Sequence, residues 1–229
     1  MEGRGQDMAT EGPQPVTRVS ERGAATRSGL LAAAREVFTS TGYAQAGVTD
    51  IVAAAGASVG SLYHHFTGKA DLYLTLFEEF HEDQAERARA AVRRSRNAGV
   101  SEPKLLFLAA ARSYLDGCFE QRDLSRLFVS GDAPPGFDVI MRRRIREWAD
   151  RNTEFFARSA EFARSAEPVD EAVAVVLTGA LMITVAEVSL GDDVQRARRL
   201  AGSVLEIMSR IDSQPEPAPA VPPGPVHTS

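Results

Sequence analysis

The fold is decided by the stretch "VTDIVAAAGASVGSLYHHF", residues 48–66. It contains two short apolar runs, each with the spacing of one helix face: Ile51 with Ala55, and Leu62 with Phe66. Gly56 lies between the runs, where a residue in the left-handed conformation commonly ends a helix. Ser58 follows, and serine is a preferred N-cap residue. Two short helices joined by a turn that contains glycine indicate a helix-turn-helix unit.

Helical periodicity continues on both sides of this stretch. A helix is predicted upstream over residues 20–41, with four apolar residues on one stripe: Leu30, Ala34, Val37 and Phe38. Downstream, no alternating strand pattern persists. We therefore predict an all-α fold of about nine helices, with a three-helix helix-turn-helix domain over residues 20–68 and a larger helical domain over residues 69–212. The polar, Gly- and Pro-rich ends, residues 1–19 and 213–229, are predicted to be a disordered arm and tail.

Composition favours a protein of the reducing cytoplasm that can bury a real core. The chain has 229 residues, 44% of them hydrophobic, and a net charge of −5. Its single cysteine, Cys118, cannot form an intramolecular disulfide, and its N-terminus lacks the apolar core of a signal peptide. Residues 16–69 carry five basic and three acidic side chains, whereas the chain from Ala70 onward carries 20 basic and 25 acidic ones. This asymmetry permits a nucleic-acid surface in the N-terminal domain.

One segment, residues 172–190, is apolar nearly all round and resembles a membrane span by hydropathy. Glu187, Thr178 and Thr184 interrupt it, and Gly191 closes it. A helix that is apolar on all faces is more simply buried on two sides. We therefore predict that this helix packs against its own domain and against a partner chain, and that the protein has no membrane partner.

The helix predicted to begin at Ser58 has the composition of a helix that enters the major groove. Val59, Gly60 and Ser61 point away from the predicted core, and none is bulky, so the backbone could approach bases closely. Gly60 in mid-helix costs about 0.5–1 kcal/mol relative to alanine, which indicates that the absence of a side chain matters there. The alternative is that Gly60 permits tight packing against a neighbouring helix.

The next residues along the chain can anchor phosphates. Tyr63 and His64 can each donate a hydrogen bond to a phosphate oxygen, and Lys69 begins the next helix, where a cation and helix-end N–H groups attract phosphate. A solvated surface lysine is the alternative for Lys69. Adjacent histidines point about 100° apart on a helix and do not share a metal easily, so we predict no metal site and assign His65 a structural role.

Three segments carry a family resemblance: "LLAAAREVFTSTGY", "VTDIVAAAGAS" and "VGSLYHHFTGKADL". Over about 45 residues, from Gly29 to Leu72, they resemble the DNA-binding domain of TetR-family transcriptional regulators. The resemblance implies a helical homodimer with an N-terminal helix-turn-helix and a divergent C-terminal domain for ligand binding and dimerisation. It also implies DNA contacts at the following positions: Gly47, Thr49, Ser58, Val59, Gly60, Ser61, Tyr63, His64 and Lys69.

The sequence departs from the family pattern in two places. Ala46-Gly47 replaces the Thr-Thr or Thr-Ser pair that often precedes the second helix, so one side-chain contact to phosphate is lost. The recognition helix also contains no arginine or lysine to bind guanine. Base selection is therefore expected to rely on Ser61, His64 and DNA shape. Additional phosphate or minor-groove contacts can come from three arginines near the N-terminus: Arg18, Arg22 and Arg27.

In the C-terminal domain, a ligand pocket is sought where polar groups interrupt apolar stripes. Asn152 lies among the aromatic residues Trp148 and Phe155, and Glu187 lies on the nearly all-apolar helix. These residues and Cys118 form the predicted ligand set, with ordinary interhelical polar residues as the alternative. Cys118 is either a redox sensor or, more in keeping with its apolar stripe, inert core. The arginine run over residues 142–144 is predicted to be a solvated face.

Together these features predict a ligand-responsive, sequence-specific DNA-binding regulator. By the resemblance it is a repressor that a small molecule releases from a palindromic operator on double-stranded DNA, and a homodimer through its last two helices. No catalytic residues and no cofactor are predicted. The alternative is an all-helical adaptor or enzyme in which the helix-turn-helix is only scaffold.

Overall fold

The protein's computed structural model describes residues 16–163 and 171–211. Within these ranges it is all-α, as predicted, with no strand and nine helices. In chain order they are α1 (Val16–Thr41), α2 (Val48–Ala54), α3 (Val59–His65), α4 (Lys69–Asn97), α5 (Pro103–Glu120), α6 (Arg122–Val129), α7 (Phe137–Ala163), α8 (Glu171–Leu190) and α9 (Val194–Arg210). The predicted tail and most of the predicted arm lie outside the described residues.

The helix boundaries agree with the sequence pattern to within a few residues. The largest difference is at the start of α1, which begins at Val16 and so includes the last four residues assigned to the arm. Pro15 directly precedes it, and no helix-breaking residue occurs until Gly23. The helix therefore begins as soon as the proline-containing segment ends.

The described chain divides into two compact units, with the division between Leu76 and Phe77, inside α4. In the first unit, α1, α2 and α3 pack on one another around a small apolar core. Its fully buried side chains are Leu30, Ile51, Leu62, Leu72 and Tyr73, together with Phe38. The turn between α2 and α3 contains Gly56 at φ +61, a left-handed conformation that favours glycine.

Ser58 is the N-cap of α3, as the sequence predicted. Its hydroxyl oxygen accepts a hydrogen bond from the backbone N–H of Ser61 at 3.1 Å. Replacing such a cap by alanine typically costs about 1 kcal/mol. The end of α2 and the start of α3 are therefore set by residues that the sequence alone identifies.

In the second unit, α8 lies against α5, α6, α7 and α9. Among the described helices it alone is long and apolar enough to cross a membrane, and half of its most apolar stretch is buried inside the unit. Its buried hydroxyls have partners, since Ser189 Oγ lies 2.6 Å from Ser125 Oγ of α6. Four of its large apolar side chains are exposed: Val175, Val176, Ile183 and Leu190.

Candidate DNA-binding surface and ligand cavity

The outward face of α3 is exposed and uncharged. Val59 is 43% exposed and Tyr63 is 57% exposed, although both are large apolar or aromatic side chains. Gly60 and His64 are exposed beside them, whereas Leu62 on the opposite face is fully buried. The predicted DNA-contacting residues of this helix therefore share one accessible face.

Gly60 has no packing role within the described protein. A methyl group at this position would meet no atom outside its own helix backbone closer than Ser58 Oγ, at 3.9 Å. Close packing against a neighbouring helix, the alternative explanation for this glycine, is therefore not what the structure shows. Its helix-propensity cost remains without an intramolecular reason.

The two histidines differ in their surroundings as the sequence suggested. The His64 ring is exposed, and it meets the His65 ring edge-on at a centroid distance of 4.9 Å. His65 is half-buried and packs toward α1, where its Cε1 atom lies 4.0 Å from the position of a Cβ on Gly23. Of these two histidines, only His64 has a ring that is exposed to a partner outside the domain.

Lys69 is engaged within the domain rather than extended into solvent. Its Nζ donates to the carbonyl oxygens of Tyr43 at 2.7 Å, Ala44 at 3.3 Å and Ala46 at 2.9 Å. The ammonium also lies 4.3 Å from the centroid of the Tyr43 ring. Lys69 thus fastens the loop between α1 and α2 to the first turn of α4. A phosphate contact through this lysine requires some of these hydrogen bonds to be given up.

The residues at the start of α2 are small, as expected from the Ala46-Gly47 pair that replaces the family's Thr-Thr or Thr-Ser pair. Gly47 is its N-cap and has no side chain to offer, but its N–H donates to Asp50 Oδ2 at 3.1 Å. Thr49 is exposed in the first turn. Of the N-terminal arginines, Arg22 is exposed, Arg27 lies 5.1 Å over the Phe66 ring, and the Arg18 side chain lies outside the described residues.

The second unit contains a cavity of about 680 Å³, a size typical of small-molecule sites. Its apolar walls include Trp148, the chain's single tryptophan, with Phe107, Leu181 and Met182. Polar side chains interrupt these walls, among them His81, Tyr114, Asn152, Thr178, Arg89 and Arg144. A second cavity of about 520 Å³ shares four of its lining residues with the first, namely His81, Tyr114, Trp148 and Met182.

The structure brings together only part of the predicted ligand set. Trp148 and Asn152 line the larger cavity, whereas Phe155, Cys118 and Glu187 line neither cavity. The Phe155 ring packs on Phe156 at 5.6 Å, and Glu187 is exposed. These three residues are therefore removed from the proposed pocket.

Cys118 is a core residue. It is 1% exposed, and burial raises the pKa of its thiol from 9.0 to about 12, against a smaller opposing effect of a hydrogen bond with Ser125. Because the thiolate is the reactive form, this environment makes the thiol inert. The surroundings agree with the core interpretation rather than with redox sensing.

His81 and Tyr114 form a buried polar pair between the two cavities. The Tyr114 hydroxyl lies 3.3 Å from His81 Nδ1, and Trp148 packs edge-on against the imidazole at 5.0 Å. Desolvation, aided by the nearby Arg144 charge, lowers the pKa of His81 from 6.5 to about 3. Desolvation also raises the pKa of Tyr114 well above its usual value. Both side chains are neutral at physiological pH.

Two of the three arginines that line the larger cavity are paired with glutamates, and the third, Arg151, is exposed. Arg144 forms an ion pair with Glu78, and Arg89 pairs with Glu82 at 2.6 Å. Arg144 is the exception within the predicted solvated arginine run, because its side chain is half-buried on the cavity wall while Arg142 and Arg143 are exposed. Arg89 and Arg144 therefore have neutralising partners before any ligand binds.

Sequence reasoning did not select His81, Thr178 or Arg144 for the pocket. His81 does interrupt the apolar stripe of α4 after Phe77 and Phe80, which is the same signal that identified Asn152 on α7. Applying that rule to every helix would have found it. No comparable signal distinguishes Arg144 from its two arginine neighbours.

Together the exposed face of α3 and the cavity define a class of protein, a helix-turn-helix protein with a separate helical unit able to enclose a small molecule. Residues 30–76 match the family described as bacterial regulatory proteins, tetR family. The similarity to this family thus covers the helix-turn-helix domain and the start of α4.

A curated relative is similar to this chain in sequence, and solved structures are similar to it in fold. The chain is 33% identical over 133 residues to the HTH-type transcriptional regulator CymR of Pseudomonas putida, a match that covers 58% of this chain and 62% of CymR. The match thus spans under two thirds of that relative. The fold of this chain resembles that of FadR from Bacillus halodurans, with a TM-score of 0.65 at 16% identity over 80% of this chain and 94% of FadR. It also resembles the fold of SmeT in a complex with triclosan, with a TM-score of 0.65 at 20% identity over 80% and 90% of the two chains.

Proposed function

We propose that this protein is a DNA-binding transcriptional regulator of the cytoplasm whose recognition helix is α3. The observation that carries the proposal is the outward face of α3, which exposes Val59 and Tyr63 beside a glycine with no intramolecular role. Exposed apolar side chains beside a residue without a side chain suit close contact between this helix face and base edges in the major groove. The match of residues 30–76 to the tetR family of bacterial regulatory proteins supports the same function.

The proposed DNA contacts divide by chemistry. Val59, Gly60 and Ser61 approach base edges, where the apolar Val59 suits a thymine methyl group. Tyr63 and His64 donate to phosphate oxygens and position the helix without reading sequence. The remaining contacts come from the first turns of α2 and α3, through Gly47, Thr49 and Ser58. Lys69 chiefly holds the loop before α2 in place. It thereby positions the first turn of α2, which contacts the DNA backbone.

The protein is further proposed to respond to a small molecule in the cavity of the second unit. The supporting features are its volume of about 680 Å³, its largely apolar walls and its few polar groups. SmeT, which shares the fold, is known in a complex with triclosan. From the resemblance to TetR-family regulators, we infer that ligand binding weakens operator binding and that the DNA-bound protein acts as a repressor.

A homodimer through α8 and α9 is the proposed form on DNA. The two helices expose apolar side chains that a partner chain can cover, with Ile183 at 68% exposure and Ile207 at 60% as the most exposed. A dimer places two recognition helices in successive major grooves of a palindromic site, about 34–36 Å apart. Ile183→Glu should yield monomers by light scattering, whereas an unchanged dimer would contradict this interface.

Ligand release follows from population shift. A ligand lowers operator affinity only insofar as it prefers the dimer state with unsuitable helix spacing. A ligand that shifts the dimer from almost entirely competent to almost entirely incompetent for DNA binding must prefer the incompetent state by about 5.5 kcal/mol. Partial release needs correspondingly less.

An enzyme or adaptor with the helix-turn-helix as scaffold is the competing function. An enzyme requires a convergent cluster of titratable groups at its site, whereas a DNA-binding regulator does not. A gel shift of the purified protein on DNA flanking its own gene, at low salt, distinguishes the two functions. Binding that weakens in Tyr63→Ala supports the regulator, whereas no binding by the wild type supports the alternative.

A further inference from the structure

The larger cavity contains one polar group whose hydrogen-bonding direction is fixed by its neighbours. Asn152 on α7 and Thr178 on α8 both line the cavity. The Thr178 hydroxyl donates to the Ala174 carbonyl oxygen at 2.7 Å, and Asn152 Nδ2 lies 2.8 Å from Thr178 Oγ1. Thr178 is 2% exposed, so this network lies in the interior of the unit.

The network determines which edge of the Asn152 amide meets a ligand. A hydroxyl has a single proton, and that of Thr178 is used on the Ala174 carbonyl. Thr178 Oγ1 can then only accept, so the atom of Asn152 that faces it must be the N–H donor. The carbonyl oxygen, Asn152 Oδ1, is left as an acceptor on the half-buried, cavity-lining part of the side chain.

The other residues of the cavity wall determine which ligand groups can lie beside this acceptor. Trp148 lies one turn before Asn152 on the same helix, and Phe107, Leu181 and Met182 complete an apolar surround. Arg144 and Arg89 are occupied by Glu78 and Glu82, and Arg151, the third arginine of the cavity lining, is exposed to solvent. A ligand carboxylate has no proton to donate to Oδ1, and a solvent-exposed arginine offsets little of the cost of burying a charge beside the apolar wall.

We propose that the effector is an uncharged, largely apolar molecule with a hydroxyl group, and that this hydroxyl donates to Asn152 Oδ1 while its ring or chain packs on Trp148. The inference rests on the proposed ligand response of the second unit and specifies its chemistry. Thr178 is a positioning residue, since it acts through Asn152.

The test uses three probes that share one apolar body: para-tert-butylphenol, its methyl ether para-tert-butylanisole, and para-tert-butylbenzoate. Binding is followed by the fluorescence of Trp148, which is the only tryptophan and lines the cavity. The wild type should bind the phenol about 5–10-fold more tightly than the ether, the difference that one net hydrogen bond supplies. The benzoate should bind more weakly than either.

The variants separate orientation from packing. Asn152→Leu should reduce the phenol-to-ether preference to about 1, and Thr178→Val should reduce it severalfold because the amide is then free to turn. Thr178→Ser should retain the preference. Thr184→Val is the matched control, because Thr184 is similarly buried on α8, makes the same bond to the carbonyl four residues earlier at 2.7 Å, and lines neither cavity.

Several results would overturn the inference: equal affinity of the wild type for phenol and ether, a preference that survives in Asn152→Leu, tighter binding of the benzoate, or no Trp148 response to any probe. DNA binding by the same wild-type samples, measured without probe, tests the proposed function separately. If the wild type binds the operator but does not prefer the phenol over the ether, the proposed regulator function stands and only this effector chemistry is rejected.

Discussion

Gly60→Ala should stabilise the protein and weaken its binding to DNA, two effects of opposite sign from one methyl group. The position is exposed, and the nearest atom outside the local helix backbone is Ser58 Oγ at 3.9 Å, so the methyl group fits without strain. Alanine is favoured over glycine in a helix interior by about 0.5–1 kcal/mol, and Gly60, the second residue of α3, should gain at most this much. For a chain of this size that raises the melting temperature by about 1–4 °C.

The loss of DNA affinity follows from the proposed close approach of α3 to the groove. An added methyl group at a tightly packed contact commonly costs about 1–3 kcal/mol, which corresponds to about a 10-fold to 100-fold weaker complex. Fluorescence anisotropy with labelled operator at fixed salt measures this loss, and thermal denaturation measures the stability.

Gly29→Ala is the matched control for this experiment. Gly29 is also exposed in mid-helix, on α1, and a methyl group there meets nothing within 4 Å. It should give the same gain in stability with unchanged DNA affinity. Wild-type affinity in Gly60→Ala would refute the reasoning, because Gly60 would then have no role at the groove.

Three further predictions concern buried or engaged groups. Lys69→Met should lower stability by about 1–3 kcal/mol by leaving the Tyr43, Ala44 and Ala46 carbonyls without their charged donor; an unchanged melting temperature with weaker DNA binding would instead make Lys69 a phosphate contact. His81 binds a proton only near pH 3 when folded but near 6.5 when unfolded, so stability should fall as pH drops through this window. His81→Phe should flatten that dependence in calorimetry; an unchanged slope would contradict the buried neutral imidazole. Cys118 should resist iodoacetamide in the native protein at pH 8 and react once unfolded, as read by mass spectrometry, and rapid native labelling would reopen the redox role.

Local signals predicted the fold well because each helix boundary depends on a few neighbouring residues. Gly56 ends α2 and Ser58 starts α3 through interactions within a few residues. The Lys69 contacts were not predictable in the same way, because its three acceptors lie 23 to 26 residues away and their positions depend on how α1 meets α2. A lysine at the start of a helix indicates phosphate binding only if its side chain has no partner within the protein.

The candidate pocket shows the same limit. Trp148 and Phe155 are both aromatic residues of α7, and nothing in the sequence distinguishes which of them faces a cavity. The packing of α7 on α5 and α8 turns Trp148 to the cavity and leaves Phe155 against Phe156. Periodicity identified the right helix, whereas the face that lines the cavity depends on contacts between helices.

The most direct test of the proposed regulator is the affinity of the purified full-length protein for DNA flanking its own gene, compared with the affinity of Tyr63→Ala at the same salt concentration. Tyr63 is 57% exposed on the face assigned to DNA, so its truncation should leave stability unchanged. We predict sequence-selective binding by the wild type and a weakening in the variant on all sequences, as expected for a lost phosphate contact. No binding by the wild type, or equal binding by both proteins, would contradict the assignment of α3 as the recognition helix.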